Sequence, residues 1–297
     1  MSLQRLTLSF AIVALSGTSY AHPSAGIVVD DQGQVFFTDN GGNRASLWKI
    51  DAEGKATRLS SAGWHWLALD AKGQFAEDNL KKWFEQRITM NFGRVGLPDS
   101  HAVLLQADGA PFVVDREGNL YWGNLDISRL SSEGKVTLPF PDLKATADKL
   151  GGIKGLAIGA EGSLYMTCPS AVLKTAPDGK ITTLVHPIRL SDAELDLPAG
   201  TPDEYKPFLR GLAVDARGIV YAAATGAHCV VQITPDGRDT VVLKSEKPWS
   251  PTGVAVHRGD VYVLEYTNAN GSPNDGWRPR VRKLQADGTV TMMFTAE

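Results

Sequence analysis

The stretch Gly211-Leu-Ala-Val-Asp215-Ala-Arg-Gly218-Ile-Val-Tyr221 decides the fold, because the chain repeats its pattern. The pattern consists of an apolar run, then usually an aspartate, a glycine three positions after it, and a second β-forming run. Five further copies begin at Gly26, Leu67, Phe112, Gly155 and Gly253. An aspartate accepts hydrogen bonds from the backbone amides that follow it, and glycine tolerates a positive φ, so each copy predicts a tight hairpin.

A second hairpin follows most copies of the pattern. These hairpins cover residues 47–59, 128–138, 172–184, 230–243 and 281–292. Each repeat is therefore expected to form four antiparallel strands, a to d, with strand a innermost. Repeats of roughly 40 to 50 residues with this content pack around an axis as propeller blades. The sequence predicts an all-β fold with one six-bladed β-propeller of four-stranded antiparallel blades over residues 22–297.

An insertion in the second repeat departs from the β pattern. Leu80, Trp83, Phe84 and Ile88 lie on one stripe at helical spacing, which predicts one short helix near residues 77–86. The strand b before this insertion is expected to be short.

Composition and charge narrow the class of protein. The 297 residues are 43% hydrophobic and 21% charged, which excludes a disordered or collagen-like chain. A formal net charge of -3 gives no reason to expect a nucleic-acid partner. Cys168 and Cys229 allow at most one disulfide, and the sequence leaves open whether they pair.

The first 21 residues are typical of a secretory signal peptide. Arg5 supplies a positive charge, residues 6–15 an apolar stretch and Ser19-Tyr20-Ala21 a cleavage site of mostly small residues. We expect a periplasmic or secreted protein that begins at His22, with an uncleaved anchor as the alternative. No later apolar run is long enough to span a bilayer, so no membrane span is expected after removal of the signal.

The repeated Gly-Leu-Ala-Val-Asp pattern, together with Asp39 followed by Asn43-Arg44, resembles NHL repeats. More widely it resembles the gluconolactonase-like, senescence marker protein, luciferin-regenerating and strictosidine-synthase-like six-bladed propellers. The resemblance implies this fold, a role as a hydrolase, a lyase or a binding module, and in its calcium-dependent lactonases a metal held by one Glu, two Asn and an Asp. The aligned positions here do not carry that set, so no metal site and no cofactor are predicted, with calcium kept open.

The long insertions all fall at the b–c and d–a connections, which share one face of a propeller. We call this the upper face, and the face of the Asp-x-x-Gly turns the lower face. The residue just before each strand a should line the channel at the upper face. In blade order these residues are Ala25, His65, Ala110, Lys154, Arg210 and Thr252.

Lys154 and Arg210 make this ring suitable for an anion, because Arg offers a planar fork to a carboxylate and Lys adds a point charge. The alternative is internal neutralisation by the acidic loop before blade 5. That loop carries Asp192, Glu194, Asp196, Asp203 and Glu204.

His65 is the candidate general base, with Asp39 or Glu265 at the end of a strand b as its carboxylate partner. Two function classes stay open. As an enzyme, the protein would hydrolyse or cleave a small anionic, lactone or ester compound; as a binding module, it would hold a small anion or a partner protein at the same face. Besides Lys154 and Arg210, the predicted ligand-binding residues are Thr252, Asn124, Tyr266 and Trp277.

Overall fold

Twenty-three β-strands in six antiparallel sheets make up about half of the described chain. The structure is a computed structural model and describes residues 23–40, 45–61, 64–73, 92–97, 101–188, 190, 195–197, 200–267 and 276–296. The sheets are the blades of a six-bladed propeller, so the predicted fold class is confirmed.

Five blades have four strands that follow one another in chain order. Blade 1 contains β1 (Ile27–Val29), β2 (Val35–Asp39), β3 (Ser46–Ile50) and β4 (Ala56–Ser60). Blade 3 contains β8 (Phe112–Val114), β9 (Leu120–Trp122), β10 (Ser128–Leu130) and β11 (Val136–Thr137). Blade 4 contains β12 (Gly155–Ile158), β13 (Leu164–Cys168), β14 (Ala171–Thr175) and β15 (Ile181–Val185).

The last two blades have the longest strands. Blade 5 contains β16 (Leu209–Val214), β17 (Val220–Ala224), β18 (Cys229–Ile233) and β19 (Asp239–Lys244). Blade 6 contains β20 (Trp249–His257), β21 (Asp260–Thr267), β22 (Pro279–Leu284) and β23 (Val290–Thr295). Short 3-10 turns cover Asp203–Tyr205 and Thr225–Ala227.

Blade 2 has a different strand order. Its described strands are β5 (Trp66–Asp70), β6 (Phe92–Gly96) and β7 (Val103–Ala107), and they lie in the order β5-β7-β6. The neighbour of β5 therefore comes after the insertion, where the sequence analysis expected a short strand b before it. No alternating apolar run follows Gly73 directly, and Val103–Ala107 supplies the apolar strand. The predicted helix near residues 77–86 lies outside the described residues.

A helix that the sequence analysis did not expect precedes blade 4. It is α1 (Leu143–Lys149), which buries Leu143 and Ala147 against the apolar core of that blade. The sequence predicts one short helix, near residues 77–86, and none at this position. Within the described residues, no helix has the length and apolar character needed to cross a membrane.

The inner strands β1, β5, β8, β12, β16 and β20 contact one another in a closed ring, with β1 against β20. The glycine of the repeated pattern lies where neighbouring inner strands approach most closely. A Cβ atom on Gly155 would lie 2.5 Å from the carbonyl oxygen of Arg210, and one on Gly211 would lie 2.8 Å from that of Thr252. These contacts exclude any side chain, so the glycine follows from ring closure.

The aspartates of the pattern hold the hairpins of the lower face, as the sequence predicts. Asp215 Oδ1 accepts hydrogen bonds from the backbone N–H groups of Arg217 (2.8 Å) and Ile219 (2.9 Å). Asp115 Oδ1 accepts one from the backbone N–H of Asn119 (2.7 Å). A cavity of about 590 Å³ opens among these turns. The aspartates in its lining, Asp70, Asp115 and Asp215, already accept backbone hydrogen bonds, so they act in the fold.

Candidate functional site

The inner strands of all six blades line a channel cavity of about 320 Å³. Its wall is apolar and includes Ile27, Leu156, Leu212 and Val254. Its lining includes Ala25, a member of the ring of residues predicted at the upper face, and Gly211, which directly follows Arg210 of that ring. We call this end of the channel the upper mouth.

Arg210 lies half-buried at the upper mouth, at the start of β16. The pairing of β16 with β17 is irregular between Leu209 and Leu212, so Arg210 sits at a bulge, a feature that redirects a side chain. Its Nη1 donates a hydrogen bond to the carbonyl oxygen of Pro23 (3.2 Å), and its guanidinium carbon lies 5.3 Å from the centre of the Phe208 ring. Burial lowers the pKa of Arg210 to about 10, so the guanidinium keeps its charge at neutral pH.

Lys154 lies half-buried on the neighbouring blade, directly before β12. Burial lowers the pKa of the Lys154 ammonium, and the positive charge of Arg210 lowers it further. Cys168 has the opposite influence, but burial raises the pKa of its thiol to about 12, so the thiol stays neutral. The structure therefore brings Lys154 and Arg210 together as two cations without a neighbouring anion among the described residues.

The sequence left open that the acidic loop before blade 5 neutralises the two cations. Among the described residues this does not occur. Asp196 Oδ2 pairs with Lys247 Nζ (3.1 Å), and Asp203 Oδ1 pairs with Lys206 Nζ (2.9 Å). In the part of the chain that the structure describes, no carboxylate forms an ion pair with Arg210. Asp192 and Glu194 of the same loop lie outside the described residues.

His65 has a carboxylate partner that the sequence analysis missed. Its Nδ1 lies 2.6 Å from Asp108 Oδ1, and its backbone N–H donates to the same oxygen (3.1 Å). Asp108 directly follows β7, the strand that pairs with β5. The sequence predicts Asp39 or Glu265 as the partner. It does not indicate Asp108, because it predicts a strand before the insertion as the neighbour of β5, whereas β7 pairs with β5.

Glu265 is fully buried in an ion cluster with two arginines. Arg280 Nε and Arg282 Nε each donate to Glu265 Oε2 (2.6 Å), and Arg282 Nη2 donates to Oε1 (2.6 Å). The Ser245 hydroxyl donates to the same Oε1. Arg280 also lies over the Trp249 ring, with 4.3 Å from the guanidinium carbon to the ring centre. Two cations and a hydroxyl therefore occupy both carboxylate oxygens of Glu265, which gives this residue a structural role.

Asp39 and Tyr266 meet at the junction of blades 1 and 6. The Tyr266 hydroxyl donates to the carbonyl oxygen of Thr38 (2.7 Å) and accepts from the backbone N–H of Asn40 (3.3 Å). Burial raises the pKa of Tyr266 well above its usual range, and the negative charge of Asp39 adds to this. Tyr266 therefore joins the first and last blades.

The remaining predicted ligand-binding residues are dispersed. Thr252 is fully buried, and its hydroxyl donates to the carbonyl oxygen of Ser24. Trp277 is buried in the apolar core between blades 1 and 6. Asn124 is exposed and donates through Nδ2 to the carbonyl oxygen of Gly109 (3.3 Å). Of these three residues, Asn124 has an exposed side chain at the upper face.

A second histidine with a carboxylate partner, His228, is buried between blades 5 and 6. Its Nδ1 lies 2.7 Å from the carbonyl oxygen of Trp249 and 2.8 Å from the Ser250 hydroxyl, and its Nε2 lies 3.0 Å from Asp196 Oδ2. Ser250 is also buried, so this Ser-His-Asp arrangement offers no access to a substrate. Cys168 and Cys229 are buried and form no disulfide with each other. In the described residues, no group of three or more His, Cys, Asp or Glu could hold a metal ion.

No protein-family model matches the sequence. No curated protein matches it either. Three solved structures illustrate what the chain is similar to. Virginiamycin B lyase from Staphylococcus aureus is 14% identical over 93% of this chain and 85% of its own, with a TM-score of 0.47. A chain of a nidogen/laminin complex is 16% identical over 91% and 78%, with a TM-score of 0.41. A gluconolactonase from Xanthomonas campestris is 20% identical over 48% of each chain, with a TM-score of 0.35. The six-bladed propeller itself rests on the six sheets and the closed ring of their inner strands.

Proposed function

We propose that the protein binds a small organic anion at the upper mouth of the channel through Arg210 and Lys154. The observation that carries this proposal is the juxtaposition of two half-buried cations with no carboxylate partner in the described chain. Holding two like charges together in partly buried positions is unfavourable, and a bound anion would relieve the repulsion. A carboxylate suits the site because the guanidinium fork of Arg210 can donate two parallel hydrogen bonds.

Binding of simple carboxylates tests this proposal. We expect propionate or lactate to raise the melting temperature of the full chain, and the change Arg210→Met to weaken binding by about 1.5–3 kcal/mol, roughly 10- to 150-fold. Arg217→Met is the matched control, because Arg217 pairs with Asp215 on the lower face. Equal loss in both variants, or no binding to the parent protein, would contradict the proposal.

Hydrolysis of a lactone or ester at the same mouth is the second candidate, and the His65–Asp108 contact favours it. A carboxylate that bonds one imidazole nitrogen orients the ring, as a general base requires; the other nitrogen, Nε2, is buried, so a substrate would have to displace the groups that cover it. In this alternative, Arg210 and Lys154 would stabilise the negative charge that develops on the substrate oxygen. Asp108 would act as a positioning residue for His65.

A turnover screen separates binding from catalysis. Lactones and esters are offered to the parent protein and to His65→Gln, with and without a chelator. Turnover that falls at least roughly 100-fold in the variant and ignores the chelator supports general-base hydrolysis. Turnover that the chelator abolishes would instead support calcium chemistry. Carboxylate binding without any turnover would favour the non-catalytic binding module. A partner protein that competes with propionate would then be identified as the ligand of that module.

A further inference from the structure

We propose that a groove between blades 5 and 6, on the lower face, binds a medium-chain carboxylate whose carboxyl group is held by Arg258. This groove shares no lining residue with the upper mouth, and the inference does not depend on the anion site there.

The groove has an apolar floor and a volume of about 790 Å³. We call it the 5/6 groove. Its floor consists of four half-buried side chains, Val214, Val242, Val256 and Leu284. Sites for small ligands have volumes of roughly 300–1,000 Å³ and combine such apolar walls with a few polar groups. The floor therefore suits an aliphatic chain.

The turn of blade 6 that borders the groove is shorter than the equivalent turn of blade 5. The pairing of β20 with β21 continues to His257 and Asp260, so Arg258 and Gly259 alone connect the two strands. In blade 5 the connection comprises residues 215–219. The shortened turn thus brings an arginine to the edge of the groove.

Arg258 has a backbone conformation that is unusual for its residue type. Its φ is 51° and that of Gly259 is 89°. Two-residue hairpin turns with positive φ at both positions favour Asn-Gly, because an ordinary side chain is disfavoured at the first position. Residues held in such conformations cluster at binding sites. The arginine at this position therefore points to a role for its side chain.

Arg258 is also a cation that a ligand can reach. Arg217, the other cation of the lining, donates through Nε and Nη2 to Asp215 Oδ2 (3.0 Å each). Arg258 is exposed, and its Nη2 donates to the carbonyl oxygen of Asp31 (3.3 Å). No carboxylate of the described chain pairs with Arg258, so its positive charge and further N–H donors remain for an anion.

The strand beside the groove carries an amide where other blades carry a cation. In three blades a cation of the third strand lies over the tyrosine of the second: Arg129 over Tyr121 (6.0 Å), Lys174 over Tyr165 (5.1 Å) and Lys283 over Tyr262 (5.5 Å). In blade 5, Gln232 lies opposite Tyr221, and both line the groove. The Gln232 amide makes no hydrogen bond to any described residue, so it can donate one to a carboxylate.

Ligand-observed NMR titration of the full chain with butyrate, hexanoate and octanoate tests the inference. We expect affinity to rise roughly two- to fourfold per added methylene, because an open groove buries each methylene in part. Octanamide, which lacks the charge, should bind at least roughly 10-fold more weakly than octanoate. The chain-length dependence should persist in Arg210→Met, which separates this site from the upper mouth.

Arg258→Asn distinguishes a binding role from a structural one. Asparagine is favoured at this turn position, so the variant should resist urea at least as well as the parent protein, while octanoate binding falls at least roughly 10-fold. Arg116→Asn is the matched control, because Arg116 is an exposed arginine in the lower-face turn of blade 3. The control should retain octanoate binding.

Three results would overturn the inference. The first is octanoate binding that Arg258→Asn leaves unchanged, or that octanamide equals. The second is a large loss of urea resistance in Arg258→Asn, which would assign Arg258 to the fold through its bond to Asp31. The third is a concentration-dependent dimer that Arg258→Asn disrupts, without an octanoate signal, which would make the groove a contact between copies of the chain. None of these results bears on the anion site at the upper mouth.

Discussion

Replacement of Arg210 by methionine should leave the stability of the unliganded protein almost unchanged. Burial lowers the pKa of Arg210 from 12.5 to about 10, and each pKa unit corresponds to about 1.4 kcal/mol, so desolvation destabilises the buried cation by roughly 3 kcal/mol. The charged hydrogen bond to Pro23 returns about 1.5–3 kcal/mol, and the Phe208 ring adds about 0.5–1 kcal/mol. These contributions nearly cancel, and methionine retains the apolar packing.

Urea denaturation at neutral pH measures this change directly. We expect Arg210→Met to shift the free energy of unfolding by no more than about 1 kcal/mol without ligand. With a carboxylate at 100 times the dissociation constant of the parent protein, the parent should gain about 2.7 kcal/mol and the variant about 0.3–1.4 kcal/mol, because its dissociation constant is roughly 10- to 150-fold higher. A loss of about 3–5 kcal/mol in the unliganded variant would refute the reasoning, because that is the cost of breaking a buried ion pair.

Three further predictions concern the fold, its pH dependence and export. Glu265→Gln should destabilise the protein by about 3–5 kcal/mol in urea denaturation, because two arginines lose their buried counter-charge; a loss below about 1 kcal/mol would contradict the described cluster. Although burial opposes it, hydrogen bonds with its own backbone, Lys174 and Tyr165 lower the pKa of Glu161 to about 2. Because the pKa is lowered in the folded state, the ionised carboxylate stabilises the fold at pH values above its usual pKa of 4.5. This stabilisation is lost as the pH falls toward 2, so the urea midpoints of the parent and Glu161→Gln should converge over that range. N-terminal sequencing of the native protein should begin at His22, and a cytosolic species that retains Met1 would exclude export.

The fold could be predicted from sequence because its determinants are local and repeated. The aspartate and glycine of each pattern specify a hairpin through their own backbone contacts, and six copies impose a ring. Blade 2 departs from this rule. The strand that pairs with β5 is β7 (Val103–Ala107), and the insertion separates the two in the chain. The helix at Leu143–Lys149 is not predictable from sequence either, because a helix of seven residues gives no clear periodic signal.

The candidate site was predictable only where it depends on register. Lys154 and Arg210 each directly precede the glycine of the repeated pattern in neighbouring blades, so counting from that glycine predicts equivalent positions for them. The ion cluster of Glu265 depends on which side chains meet between strands that lie apart in the chain. Single-sequence periodicity carries no information about such partners. Arg282 has an alternating-strand position like many others, and nothing in its neighbours indicates Glu265.

A crystal structure of the protein soaked with propionate tests the central claim most directly. The account predicts a carboxylate within hydrogen-bond distance of the Arg210 guanidinium at the upper mouth, and its absence from Arg210→Met crystals prepared identically. A carboxylate bound elsewhere, or a side chain of this protein paired with Arg210 in its place, would contradict the account.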